Sequence, residues 1–394
     1  MNQRFKSSLI DKLLDNSIEI DELKWLREDI DAADLSCIIQ RIYDLNESYI
    51  LKISAVNGML EKLNVIKNKR RNNRFFNKIR KGFRQVSKSD RKIILAEGDS
   101  WFNYPIILTD LVDVIGMDKD LAVYSIASGG DWLLNMLTAR VYVEELSLLH
   151  PDYFLISGGG NDLVGSSRIA AMLDPTGQSN EYARNEWAQY MIGKVHAAGI
   201  QLNEDDFNEG LKYISKDFFA LLMFFHLQYY FLISEILNAG NKGNKTPKFE
   251  NIKIITQGYD YPVPSYESGI GVNPLHWYVP LIRKFQQNGN WLKTPMQLRG
   301  INDAETQRKI VYAMIFLFNE MMIDIGHIFT DDKKMPGRVF HIDARESVGE
   351  NGWTDELHPK AEHFMKIGRV FKQCIKNPTS ATYQQVFVVK EFNK

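Results

Sequence analysis

The sequence predicts an α/β protein with a parallel sheet, and three observations carry that expectation. Short apolar or β-branched runs stand at residues 93–96, 122–126, 153–157, 252–256 and 339–342. Between and after them lie segments with helical spacing of apolar residues, at 131–145, 218–237, 310–325 and 360–376. Alternation of this kind needs crossover connections, which place helices on both faces of parallel strands. Third, glycine and polar residues follow four of the five runs directly or after a loop, as expected where strand ends converge on one ligand-binding rim.

Taken in chain order, residues 1–66 are expected as a helical appendage, with Leu9, Leu13, Leu14, Ile38, Ile39, Ile42 and Leu45 at helical spacing and DAADLSCIIQ supplying a helix start. Residues 67–92 are a basic linker or amphipathic segment, in which twelve Lys or Arg face the single acid Asp90, a local net of +11. Phe75, Phe76, Ile79, Phe83 and Val86 recur among those cations, which suits an interfacial helix on an anionic membrane. Gly82 weakens that helix, and a solvated linker is the bland alternative. Residues 93–394 form the main domain, with insertions near 164–216 and 262–305 that exceed what a crossover requires. The run 218–237, FFALLMFFHLQYYFLISEIL, approaches membrane-spanning length, but His226, Gln228 and Glu235 interrupt it. It is expected as a helix buried between the sheet and an added layer. The final QQVFVVKEF is a candidate edge strand.

Composition narrows the class further. At 394 residues the chain can bury a large core, and its formal net charge of −1 gives no global bias toward nucleic acid or membrane. Nucleic acid is therefore not the expected partner. Cys37 and Cys374 lie at opposite ends of the chain without metal-ligand spacing, so two buried thiols in a reducing compartment are expected. The first twenty residues never give an apolar stretch of signal-peptide length, so the expected location is cytoplasmic, with peripheral membrane contact through 67–92.

The chemistry sits after the strands. The first run is followed by Gly98-Asp99-Ser100, the second by Ser128-Gly129-Gly130-Asp131, the third by Gly158-Gly159-Gly160-Asn161-Asp162 and the fifth, after a loop, by Asp355-Glu356-Leu357-His358. A serine hydroxyl needs a base, and His358 is the imidazole with a carboxylate in fixed local register. Asp355 can hold its tautomer. Backbone N–H groups of Ser100 and Gly130 and the amide of Asn161 can receive charge developing on a carbonyl oxygen. A turn at Gly-Asp-Ser is the competing account of Ser100. The serine is not in G-x-S-x-G, because Phe102 fills the last position, and Leu163 stands where G-x-G-x-x-G would need its third glycine. No metal set emerges, and Asp99 and Asp162 are expected to brace loops through backbone hydrogen bonds.

These four clusters resemble the four sequence blocks of the SGNH (GDSL-type) hydrolase superfamily: GDSW, SGGD, GGND and DELH in the right order after successive strands. The resemblance covers about 93–375. It implies a three-layer α/β/α flavodoxin-like domain, a catalytic triad of Ser100, His358 and Asp355, an oxyanion hole of Ser100, Gly130 and Asn161, and no cofactor. Trp101 replaces the usual Leu, and Ser128 stands where many members carry Asn, departures that bear on the substrate. Trp101, Tyr259, Tyr261 and Trp277 are candidates to line the substrate pocket. A serine esterase or lipase-like hydrolase that cleaves a carboxylic ester through an acyl-enzyme, with a small-molecule or lipid ester as substrate, is the expected function. A non-catalytic binding protein on the same fold, or an acyltransferase using the same site, are the alternatives.

Overall fold

The computed structural model describes residues 3–43, 58–83, 91–104, 109–195, 200–237, 249, 251–265 and 291–392. Six strands form one sheet: β1 Lys92–Gly98, β2 Leu121–Ser125, β3 Tyr153–Ser157, β4 Lys253–Gln257, β5 Val339–Asp343 and β6 Val386–Val388. The order is β2-β1-β3-β4-β5-β6, and every neighbouring pair is parallel. Strands β3 and β5 are buried at every position, as central parallel strands with both faces covered must be; β3 reads accordingly as an apolar run up to its final serine, whereas β5 carries His341 and Asp343 among its apolar residues. The candidate edge strand is β6, paired to β5 through Ile342 and Phe387. The chain steps from β1 to β2 on one side and then crosses to β3 on the other, so a crevice opens at the carboxyl ends of β1 and β3.

The helix Lys216–Leu237 is apolar around its whole circumference and is buried on all sides. On the sheet side Tyr229 donates to the carbonyl of Gly158 at 2.9 Å. On the other side lie the helices Gln3–Leu14, Ile20–Asp29 and Ala32–Ile42, whose Leu9, Leu13, Leu26, Ile38 and Ile39 enter the same core. The N-terminal region is thus the outer layer of the main domain rather than an appendage, because a helix without a polar face needs a cover. Polar ties follow the contact: Tyr230 donates to Glu28 at 2.7 Å and Lys333 pairs with Glu28 at 2.8 Å. Both Lys216–Leu237 and the segment Ala304–Asp332 are long and apolar enough to cross a membrane, and both are packed inside the fold. Cys374 is buried as expected, but Cys37 is exposed, on the outward side of a helix whose Ile38 and Ile39 face inward.

The basic segment is a helix over Gly58–Arg80 that lies along the open edge of β2. A sheet edge leaves backbone groups unpaired. Here the Asn72 side chain supplies both partners for Ser125, donating to its carbonyl and accepting from its N–H, each at 2.9 Å. Lys78 donates to the carbonyls of Asp118 and Leu121 at 2.7 and 2.6 Å. The apolar stripe of Phe75, Ile79 and Phe83 packs on Ile93 and Ala122, so three of the side chains that the sequence offers to a membrane are covered by the sheet; Phe76 stays exposed, and Val86 lies outside the described residues. Arg71 is buried against Asp110, which it contacts at 2.5 Å, and against Asp113 at 3.0 Å. Removing one partner of a buried pair leaves an uncompensated charge, so Arg71→Met should lower the unfolding free energy by about 3–5 kcal/mol in denaturant titrations.

Candidate active site

After β1 the chain closes a tight turn. The Asp99 carboxylate accepts the Trp101 N–H at 3.0 Å, and the Asp99 carbonyl accepts from Phe102 and Asn103 at 3.1 and 2.9 Å. Ser100 stands at the tip of this turn, so it is both a turn residue and a presented one. Its Oγ lies 2.7 Å from His358 Nε2. His358 Nδ1 lies 2.9 and 3.0 Å from the two oxygens of Asp355. The D-x-x-H spacing sets this up locally: Asp355 also accepts the backbone N–H groups of Leu357 and His358, both at 2.9 Å, which winds the loop until the imidazole returns over the carboxylate. Trp101 Nε1 donates to the Leu357 carbonyl at 3.0 Å and ties the serine turn to the histidine loop.

Two further loops reach the same rim. Gly130 has φ +89° and Gly159 φ +105°, the left-handed region where a side chain is strained. At Gly159 a Cβ would also come within 3.0 Å of the Phe318 ring. Asn161 follows on the short helix Gly160–Val164 and donates through Nδ2 to the Asp131 carbonyl at 3.0 Å, which joins the third loop to the residue after Gly130. Asp162 points back and accepts the Leu133 N–H at 3.1 Å, and Arg168 donates to the carbonyls of Asn161 and Asp162 while lying over the Trp132 ring. Asp99 and Asp162 therefore brace loops, as expected.

The carboxyls divide electrostatically. Burial pushes Glu97, Asp99, Asp131, Asp260 and Glu356 above the ordinary carboxylate range, and it raises Asp162 to about 7. Asp355 is equally buried, and burial alone would raise it too. The His358 ring and the N–H groups of Leu357 and His358 outweigh that, and hold it below the ordinary range.

A narrow cavity of about 60 Å³ opens beside Ser100. Trp101, Asn161, Leu163, Tyr259, Ile315 and Phe318 are among its walls. Two of the four candidate pocket residues, Trp101 and Tyr259, are thus in place. Tyr259 has a second task, since its hydroxyl binds Asp99 and accepts the Gly160 N–H. Tyr261 does not line this cavity: its ring lies tilted against Tyr312 with centroids 4.7 Å apart, while Asp260 and Pro262 on either side of it reach the wall. Trp277 lies outside the described residues, with 266–290 of the second insertion.

Several residues at the site escaped sequence reasoning. Tyr104 donates to Asp355 Oδ2 at 3.1 Å and lays its ring against His358, with centroids 4.3 Å apart. Glu356, between the Asp and the His, accepts the N–H groups of Ser265, Trp291, Leu292 and Lys293, and Trp291 meets the His358 ring edge-on at 5.9 Å. From the basic helix, Asn64 donates to Ser128 Oγ and the Gly129 carbonyl at 3.0 and 3.2 Å, and Asn68 to the Ala127 carbonyl at 2.8 Å. Lys67 reaches the Tyr104 carbonyl at 2.8 Å, and Arg71 that of Phe102 at 3.0 Å. The four-residue spacing of Asn64, Asn68 and Asn72 was the available signal, a polar stripe on one face of a basic helix. Tyr104 and Glu356 carried none.

No family model matches the chain, and no curated protein matches it. Two solved structures are similar at the level of fold. One is described as a GDSL-like lipase from Parabacteroides merdae ATCC 43184, at 9% identity and TM-score 0.35, covering 73% of this chain and 96% of that one. The other is an acetylxylan esterase from Geobacillus stearothermophilus, solved as a catalytic mutant, at 12% identity and TM-score 0.34, covering 74% and 96%. At such distances the chemistry of this chain has to be read from its own residues.

Asp162 supplies a pH test of the third loop. Its folded pKa of about 7 lies above the ordinary carboxylate value, so its contribution to stability is full at acid pH and is lost as pH rises through about 7. Asp162→Asn keeps an acceptor for Leu133 and cannot ionise. The variant should flatten the fall of the thermal midpoint between pH 5 and 8; an unchanged slope would assign that fall to other groups.

Proposed function

We propose that this chain is a serine ester hydrolase of SGNH type, acting through an acyl-enzyme on Ser100. The single observation that carries the proposal is the continuous relay from Ser100 Oγ to His358 Nε2 at 2.7 Å and from His358 Nδ1 to Asp355 at 2.9 Å. In the first half-reaction Ser100 Oγ attacks the ester carbonyl carbon while its proton passes to His358 Nε2. The imidazolium that forms is stabilised by Asp355, whose depressed pKa keeps it ionised beside the ring. The carbonyl oxygen becomes an oxyanion, held by the backbone N–H groups of Ser100 and Gly130 and by the Asn161 N–H that does not bind Asp131. Collapse breaks the bond to the alcohol, which leaves with the proton from His358. Water then repeats the sequence on the acyl-enzyme, giving the acid and free Ser100.

The cavity beside Ser100 suits the acyl group of a short-chain ester. Its walls are largely apolar, and its volume of about 60 Å³ has room for a few water-sized groups only. Phe318→Leu should therefore move the preferred p-nitrophenyl ester toward longer acyl chains; an equal drop on all esters would make Phe318 a packing residue alone.

Three variants and a covalent probe test the relay. Ser100→Ala should abolish both turnover and labelling by a fluorophosphonate. His358→Ala should approach it in severity, because residues acting as a unit lose activity together. Asn161→Ala should keep labelling competence and lose about 10²–10³ in kcat. A folded Ser100→Ala protein that hydrolyses the best ester at the wild-type rate would overturn the proposal, and preferential transfer of the acyl group to an added alcohol would make the chain an acyltransferase.

The basic helix adds a positioning role that can be separated from stability. Asn64 holds the loop that carries Gly130, whereas Asn72 makes bonds of the same kind to Ser125 within β2. Asn64→Ala should lower kcat by up to about 10²-fold with little change in KM, since small misplacements of a transition-state donor are costly. Asn72→Ala should lower the thermal midpoint and leave kcat near wild type. Equal effects on both quantities in both variants would reduce the helix to a structural cover.

A further inference from the structure

We infer that the outward face of the helix Gly58–Arg80 is a docking surface for an anionic lipid bilayer, set directly over the loops of the candidate site. The inference rests on this helix alone and holds whether or not Ser100 is a nucleophile.

Between Lys62 and Lys81 the chain has nine Lys or Arg and no acidic residue. Those nine split by face. Lys67, Arg71 and Lys78 turn inward onto Asp110, Asp113 and the carbonyls around Gly116 and Leu121. Lys62, Lys69, Arg70, Arg74, Arg80 and Lys81 point outward and are exposed. At 100° per residue these six fall on one side of the helix, with Ile66, Asn73 and Asn77 among them and Val65 at the margin beyond Lys69. Among the described residues, none of the six forms an ion pair with a carboxylate.

What selects lipid over other anions is the apolar component. Val65 and Ile66 are 58% and 63% exposed, and Phe76 at the margin of the face is 46% exposed. A purely electrostatic contact with a phosphate backbone gives no reason to hold two adjacent aliphatic side chains in water. A bilayer surface uses both parts at once: headgroups take the cations, and the aliphatic tips enter the acyl boundary of a helix lying in the interface plane. Of the side chains that the sequence offers for lipid contact, Phe75, Ile79 and Phe83 face the sheet, whereas Phe76 stands at the margin of the outward face and Val86 lies outside the described residues. A second face of the same helix carries the property.

The placement gives the surface a consequence. A helix is about 10 Å thick, and the inner side of this one binds the loops that present Ser100 and Gly130. Docking would bring the mouth of the crevice to the membrane, where amphiphilic esters collect.

The test uses the full chain and sedimentation with vesicles of phosphatidylglycerol and phosphatidylcholine, against vesicles of phosphatidylcholine alone. Binding is expected to the anionic vesicles only and to weaken with salt. Lys69→Glu/Arg70→Glu/Arg74→Glu should weaken the partition coefficient by at least ~10-fold, and Val65→Ser/Ile66→Ser should weaken it while leaving its salt dependence in place. Both variants should keep the wild-type thermal midpoint, because these side chains face solvent. Failure of the wild-type chain to sediment, equal binding to both vesicle types, or no effect of either variant would overturn the inference. So would a salt-dependent gel shift on RNA or DNA that survives Val65→Ser/Ile66→Ser, without sedimentation on vesicles.

Discussion

The carboxyl ends of a parallel sheet leave backbone groups with no strand to pair them, and the rest of this structure depends on how those groups are satisfied. Four loops emerge from the ends of β1, β2, β3 and β5 within reach of one another. Each is closed by side chains that supply what a strand no longer can: Asp99 for the turn after β1, Asn64 with Asn68 for the loop after β2, Tyr229 and Arg168 for the carbonyls of the loop after β3, and Asp355 for the loop before His358. A buried polar group without a partner costs about as much as a lost hydrogen bond. The conformations that present Ser100, Gly130, Asn161 and His358 are therefore the ones in which these groups are paired.

The same economy of polar groups explains how one carboxylate stays ionised at a crowded rim. Glu97, Asp99, Asp131 and Asp162 are close to the site and buried, and burial favours the protonated form of each. Asp355 differs in having His358, two backbone donors and the Tyr104 hydroxyl on its two oxygens. Asp355 is thus held below the ordinary carboxylate range where its buried neighbours are held above it. Tyr104 is itself held by Lys67 on its carbonyl and by Asp110 on its N–H, so the basic helix reaches the relay through a single residue.

Much of this was legible in the sequence, and the illegible part has a common cause. Strands β1, β3, β4 and β5 announced themselves because central parallel strands bury both faces, and β2, at the sheet edge, because the helix Gly58–Arg80 covers it. The Asp355–His358 pair was visible because its geometry is local, three residues on a winding loop, and Gly130 and Gly159 because positive φ selects glycine. Tyr104, Glu356 and Asn64 were not visible, because each acts across the fold: Tyr104 on Asp355, Glu356 on the strands of chain at Ser265 and Trp291, and Asn64 on Gly129. The basic segment misled for a related reason. Its composition was read as one property, whereas a helix has two faces, and Phe75 and Arg71 belong to the inner one while Ile66 and Arg70 belong to the outer. Tyr261 shows the limit of reading aromatics by position, since its ring packs against Tyr312 while its neighbours Asp260 and Pro262 line the cavity with Tyr259.

The parts outside the minimal sheet converge on the site rather than hang from it. Tyr43, at the end of the third N-terminal helix, donates to the Asp162 carbonyl at 2.6 Å; Asn64 and Lys67 grip the loops after β2 and β1; Glu356 gathers the N–H groups of Trp291, Leu292 and Lys293 beside His358. Each addition also covers something the sheet could not leave bare, whether the all-apolar helix Lys216–Leu237 or the open edge of β2. Cover and positioning are then one contact viewed from two sides. A helix that must lie along β2 to pair its edge necessarily passes the loop at the strand's end, and side chains one turn further along fall on that loop at no extra conformational cost. This is why residues far outside the four blocks came to hold the groups inside them.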